Sequence, residues 1–428
     1  MNSVLSGSFP RKIVSGETPR KLLVFCQMVT RFHRNVLIAL TICLMTVPSY
    51  ARSTPSTKSR STRSSVEENS PTKKKMAKLR HPRPVAKTYS AKSTRRTKLR
   101  RAVWREHFDA SPWDNENTAG DVVAGEDPFV RAAALDALGN MNGTVVAIDP
   151  DTGRILAMVN QKLALSEGAQ PCSTVKIAVG LAALSEGLIT ADTPVKIGRA
   201  KMSLTYALAH SNNAYFEEMG RRLGFEKVSY YAQQFGLGEL AGYNIEGEHL
   251  GTFPTEELDA KLGGVGKMCS FGESINMTPL QLGAMVAAIA NGGNLYYLQH
   301  PRTPEELAVM QPKLKRTLNI AHYIPEMTIG MGGAVQYGTA RSLRTNFSEE
   351  QVLGKTGTCS KDGTRFGWFA SYANTQHGRI VTVVFLRGNR LVAGPKAAEI
   401  TGRVYRNLYD HSFFAAKTDK QAAHGAAN

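Results

Sequence analysis

Apolar positions along this chain change their spacing twice. In "DPFVRAAALDALG", Asp127 stands at a capping position, Pro128 at the first helical position and Gly139 at the exit, the start and stop signals of a short helix. "GTVVAID" from Gly143 and "RILAMV" from Arg154 are β-prone apolar runs joined by Pro150, Asp151, Thr152 and Gly153, and predict a hairpin. From Ser173 to about Gly293 the spacing is mainly helical: "STVKIAVGLAALSEG", "NAYFEEMGRRLG", "FEKVSYYAQQFG" and "TPLQLGAMVAAIANGG" repeat apolar residues every three or four positions and mostly end in glycine. Past Lys355, "TRFGWFASYA" and "GRIVTVVFLRG" return to strand character, and "AAEITGRVYRNLYDHSFF" closes with an amphipathic helix. Strands at both ends with helices between imply an α+β domain: an antiparallel sheet built from both ends of the domain, with a large helical subdomain packed on it. Order is expected to begin near Asp127, giving a domain over 126–415 and a disordered C-terminus over 416–428.

Charge divides the chain differently. The 428 residues, 42% of them apolar, can bury a large core, yet the net charge is +18. Between Arg52 and Arg105 eighteen Lys and Arg face only Glu67 and Glu68, so this stretch holds sixteen of the excess positive charges. It is crowded with Ser, Thr and Pro and too poor in apolar residues to offset chain entropy, so 52–125 reads as a basic disordered tail. Ahead of it, Val36 to Val47 is an apolar run preceded by Arg31, His33 and Arg34 and followed by Ser49, Tyr50 and Ala51. A span needs about 20 residues, so 1–51 reads as a secretory signal or an uncleaved anchor, with Met28 as an alternative start. The chain is therefore expected in the periplasm or cell envelope. There, anionic envelope polymers or lipid headgroups are better partners for the tail than nucleic acid, unless the tail is only a solvated spacer.

An exported chain would keep Cys172, Cys269 and Cys359, an odd number, so at least one stays unpaired within the molecule. With no zinc spacing, no glycine-rich phosphate loop and no internal repeat, neither a metal nor a cofactor is expected.

Candidate chemistry lies in three strings. Ser173-Thr174-Val175-Lys176 puts a hydroxyl and an amine one turn apart at the head of a helix, where backbone N–H groups favour developing negative charge. A serine needs a base to take its proton, and a desolvated lysine can be that base. The string alone is cheap: Ser70-Pro71-Thr72-Lys73 in the tail repeats its pattern, and a capping serine beside an exposed lysine would explain it equally. Ser211-Asn212-Asn213 interrupts a helical stretch, although Ser274-Ile275-Asn276 shows how common Ser-x-Asn is. Lys355-Thr356-Gly357-Thr358 occurs once, on a strand, where a cation, two hydroxyls and a glycine allowing close approach could cradle a carboxylate.

The three strings in this order, each in its setting, resemble the penicillin-binding transpeptidases of the serine acyl-transferase superfamily that includes the serine β-lactamases. The resemblance runs from about Gly143 to Gly394 and includes "VVAIDPDTGRILAMV", "FGESINMTPLQLGAMVAAIANGG" and "GWFASY". It implies Ser173 as nucleophile, Lys176 as base, Ser211 as proton relay, Asn213 orienting the substrate amide, and Lys355, Thr356 and Thr358 holding a terminal carboxylate beside Gly357. The N–H groups of Ser173 and Thr358 would form the oxyanion hole. Peptidoglycan stem peptides and β-lactam antibiotics are the implied partners.

Two departures stand out. Cys172 occupies the position before the nucleophile where the family usually has glycine, and Cys359 follows the Lys-Thr-Gly-Thr string; both would lie beside the cleft, where a disulfide or a redox-sensitive pair is one reading. The family's large N-terminal pedestal domain has no expected counterpart. A β-lactamase or D,D-carboxypeptidase would share the nucleophile but needs a base to activate water. Glu239, Glu246, Glu248, Glu256 and Glu257 lie between the motifs, and sequence places none of them. An inactive envelope-binding scaffold is the remaining alternative.

Overall fold

The computed structural model describes residues 106–375 and 378–414; the apolar run at 36–47, the basic stretch to Arg105 and the C-terminus from 415 lie outside the described residues. In chain order the named elements are α1 Pro128–Leu138, β1 Gly143–Ile148, β2 Ile155–Val159, α2 Lys176–Ser185, β3 Val195–Ile197, β4 Ala200–Met202, α3 Leu204–Ala209, α4 Asn213–Gln234, α5 Gly264–Phe271 and α6 Pro279–Ala290. These are followed by β5 Asn294–Tyr296, β6 Leu314–Thr317, α7 Ile324–Gln336, β7 Gln351–Lys361, β8 Thr364–Thr375, β9 Gly378–Gly388 and α8 Gly394–Asp410.

The main sheet has the order β2-β1-β9-β8-β7 with antiparallel neighbours, so the hairpin from one end of the domain pairs with the meander from the other, as expected. The β1–β9 register sets Val146 opposite Val383. Alternate residues serve different cores. Val145, Ala147, Phe369 and Val384 pack with Val130, Leu138, Val404 and Leu408 beneath α1 and α8, whereas Val146, Ile148, Trp368 and Val383 face the helical lobe. Because both faces are covered, β1 is buried at all six positions, which is why its sequence reads as an unbroken apolar run.

Helix α6 is buried along its whole length, and its entry is fixed by reciprocal hydrogen bonds between Thr278 and Gln281. The two helical stretches read on either side of Gly224 run on as α4, interrupted there by non-helical backbone (φ 74°, ψ 162°). The block from 173 to 293 is less uniformly helical than its spacing suggests, since β3 and β4 pair within it. Three-residue strands are too short to show a period.

The expected start of order is corrected. Residues before 126 are packed on the domain: Asp109 N–H donates to Gly363 O (3.0 Å), and Asn142 N–H donates to Pro112 O (2.8 Å). The Asp121 carboxylate accepts the N–H groups of Asn160 and Gln161 (3.0 and 2.8 Å) and pairs with Arg131 (2.8 Å). Glu126 accepts Met158 N–H (3.0 Å), pairs with Arg131 (2.8 Å) and meets His300 Nε2 (3.0 Å). This segment is held by buried charges and backbone hydrogen bonds rather than by an apolar face, so periodicity does not reveal it.

Candidate active site

Three elements meet at one end of β7. A 3₁₀ turn, Cys172–Val175, leads into α2 and carries Ser173; Lys176 is the first residue of the helix. The connection between α3 and α4 carries Ser211, held at φ 55°, before Asn212 caps α4 by accepting Tyr215 N–H (2.9 Å). The left-handed residue turns the chain sharply, so Ser211 and Asn213 both reach Lys176. Strand β7 brings Lys355.

Lys176 is fully buried, which removes the reading of an exposed helix-start lysine. Its Nζ lies 2.8 Å from Ser173 Oγ, 2.9 Å from Ser211 O, 3.2 Å from Ser211 Oγ and 2.6 Å from Asn213 Oδ1. An ammonium offers three hydrogens and a neutral amine two hydrogens and a lone pair, so either form serves three of these four partners at a time. In the neutral form the two hydrogens go to the obligate acceptors Ser211 O and Asn213 Oδ1, and the lone pair faces the nearer hydroxyl, that of Ser173. Burial pushes the Lys176 amine down to about 7, against an opposing pull from Glu217.

Lys355 is also fully buried; its Nζ donates to Ser211 Oγ (2.8 Å) and to Thr356 O (2.9 Å). Burial, with the nearby Lys176 charge, holds this amine well below the usual lysine range. Ser211 Oγ therefore bridges two desolvated amines, an arrangement suited to passing a proton between them and a reacting atom.

On a strand, alternate side chains point to opposite faces. Lys355, Gly357 and Cys359 face the turn that carries Ser173; Thr356 and Thr358 lie on the other face. Thr356 Oγ1 is 2.6 Å from Thr339 Oγ1, and Thr358 Oγ1 accepts Gly394 N–H at the start of α8 (2.8 Å). Gly357 differs from expectation: a Cβ there would lie 2.8 Å from Pro171 O and 3.2 Å from Thr174 Cγ2, so the glycine admits the turn that carries Ser173 rather than a substrate. β7 is an outer strand of the sheet.

Thr339 was not among the residues picked from sequence. It follows α7 through Gly338, where a Cβ would fall 2.1 Å from Ala209 O, and its N–H donates to Ala209 O (3.2 Å). The string "YGTA" offers only a glycine as signal, and nothing marks that glycine as touching the serine loop.

Cys172 and Cys359 form a disulfide with a Cα–Cα distance of 5.5 Å, and Cys269 is a buried free thiol pushed up to about 12 by desolvation. Four of the five glutamates considered as water-activating bases are engaged elsewhere. Glu239 pairs with Lys315 and Arg316, Glu246 with Arg302, Glu248 accepts the N–H groups of Ala241 and Gly242, and Glu257 accepts Val265 N–H. Among the described residues no group of three His, Cys, Asp or Glu could hold a metal.

The fold and the buried serine–lysine cluster are those of a serine acyl-transferase domain. Residues 143–410, more than half of the chain, match the penicillin binding protein transpeptidase domain, and the chain belongs to that family. It is 28% identical to Stage V sporulation protein D of Bacillus subtilis (strain 168), over 61% of this chain and 48% of that protein. It is 24% identical to peptidoglycan D,D-transpeptidase FtsI of Escherichia coli (strain K12), over 62% of this chain and 52% of that protein. The chain thus spans about half the length of these curated relatives. The crystal structure of Pseudomonas aeruginosa PBP2 in complex with WCK 5153 shares the fold, with a TM-score of 0.58 at 24% identity, covering 68% of this chain and 75% of that one. So does the imipenem acyl-enzyme of penicillin-binding protein A from M. tuberculosis, with a TM-score of 0.54 at 22% identity, covering 66% and 78%.

Proposed function

We propose that this chain is a peptidoglycan D,D-transpeptidase of the cell envelope that forms its acyl-enzyme on Ser173. The observation that carries this reading is the buried Lys176 Nζ 2.8 Å from Ser173 Oγ, with Ser211 O and Asn213 Oδ1 placed to take the hydrogens of its neutral form. In acylation, the Lys176 lone pair takes the Ser173 proton while Oγ attacks the carbonyl of a D-Ala-D-Ala peptide bond. The resulting oxyanion is held by the N–H groups of Ser173 and Thr358; losing one such donor costs roughly 3 to 4 kcal/mol in the barrier. When the C–N bond breaks, the leaving amine takes a proton through Ser211, and an acceptor amine later attacks the ester.

Asn213, with its oxygen on Lys176, offers its amide N–H groups to a substrate carbonyl. Lys355, Thr356, Thr358 and Thr339 bracket the subsite for the terminal carboxylate, whose arrival would favour the charged form of Lys355. Gly357 keeps the strand close to the nucleophile.

Residues 1–51 act as an export signal or anchor in this reading, and the basic stretch to Arg105 contacts anionic envelope polymers or lipid headgroups. The Cys172–Cys359 disulfide supports an oxidising compartment. The test is the lifetime of the adduct with labelled penicillin. A long-lived acyl-enzyme is expected, whereas rapid release of opened antibiotic would mark a hydrolase and failure to label would end the reading.

A further inference from the structure

We propose that the Cys172–Cys359 disulfide aims the oxyanion hole, by holding Cys172 in a left-handed backbone conformation; this rests on the reading of Ser173 as nucleophile. The two half-cystines are chain neighbours of the two residues whose N–H groups would bind the oxyanion: Ser173 follows Cys172, and Thr358 precedes Cys359. One covalent link, with Cα atoms 5.5 Å apart, thus ties the two donors to each other across 187 residues of sequence.

The backbone at Cys172 supplies the second observation. Its φ is 51°, a region that glycine enters freely and a residue with a Cβ rarely does. The peptide plane that carries the Ser173 N–H follows Cys172, so the dihedrals of Cys172 set where that N–H points. Other ties hold the flanks of the turn. Trp368 Nε1 donates to Gln170 O (3.0 Å), the Thr174 hydroxyl donates to Pro171 O (2.7 Å), and the Gly357 backbone lies close against Pro171. The 3₁₀ turn holds the Cys172 carbonyl, but none of these bonds holds the Cys172 side chain or sets its φ. The sulfur bridge adds that restraint, pinning a fully buried Cys172 side chain to Cys359. Cut from its partner, Cys172 relaxes toward negative φ and the Ser173 N–H swings off the position of the oxyanion.

The experiment compares second-order acylation by labelled penicillin, with thermal midpoints in parallel, in wild type, Cys359→Ala and the double variant Cys172→Gly/Cys359→Ala. Cys359→Ala should acylate about tenfold more slowly, and the double variant should return to within about threefold of wild type, because glycine keeps φ near 51° without a tether. Both variants lose the cross-link and its stabilisation alike, so recovery of rate only in the double variant separates aiming from general stability. Wild type reduced with dithiothreitol should match Cys359→Ala. Full activity in Cys359→Ala, or equal slowing in single and double variants, overturns the proposal. A wild type that never acylates overturns the functional reading instead, and this inference with it.

Discussion

Ser211 Oγ stands between two buried amines, 2.8 Å from Lys355 Nζ and 3.2 Å from Lys176 Nζ, so one hydroxyl couples the serine–lysine pair to strand β7. Ser211→Ala removes the bridge while leaving both amines buried. Acylation by penicillin should fall about 10²-fold or more, the scale of a lost proton-transfer step. An unchanged rate would show that protons take another route.

The Lys176 amine, pushed down to about 7 by burial, makes the pH dependence of acylation predictable in sign. Below that value the lysine holds its proton and cannot accept another, so the rate should climb about tenfold per unit of rising pH and level off above about 7. Lys176→Arg, whose guanidinium stays charged, should abolish the climb and most of the rate. Stability follows the same linkage. Both lysines titrate lower folded than unfolded, so the unfolded chain binds more protons above about 7, and stability should rise with pH toward the ordinary lysine value of 10.5. A rate independent of pH between 5 and 9 would contradict the assignment of Lys176 as base.

Thr339 is expected to affect substrate binding more than chemistry. Thr339→Val keeps the shape and removes the hydroxyl paired with Thr356. KM for a donor peptide ending in a free carboxylate should rise about ten- to a hundredfold with kcat little changed, the cost of one hydrogen bond to a charged group. The variant should handle a C-terminally amidated peptide no worse than wild type does. Equal losses on both peptides would give Thr339 a purely structural role.

The segment before Asp127 is expected to be structural. Asp121 and Glu126 are 3% and 1% exposed and share Arg131. Deleting residues 1–126 leaves that guanidinium buried without its carboxylates, which should cost about 3 to 5 kcal/mol and lower the thermal midpoint by several degrees. A truncated chain as stable as the full one would show that these pairs contribute nothing.

Much of the sheet was legible because both of its faces are buried, turning β1, β8 and β9 into long apolar runs that flanking turn residues delimit. The serine–lysine pair was legible only through its company, since Ser70 to Lys73 repeats the same pattern in the tail. Other features were hidden for identifiable reasons. Thr339 joins Thr356 through a single hydroxyl contact and has no periodic signature. Gly357 looks like a substrate cradle until Pro171 is seen against it. The 109–126 segment adheres through charges that sequence alone reads as solvated. Cys172 and Cys359 could be suspected as a pair only once the turn and β7 were thought to meet.

Peptide mapping of the penicillin adduct tests the central claim most directly. After exposure to labelled penicillin at pH 8, where Lys176 is mainly neutral, the label should sit on the peptide containing Ser173 and vanish in Ser173→Ala. Label on any other residue, or an adduct that survives Ser173→Ala, would contradict the account.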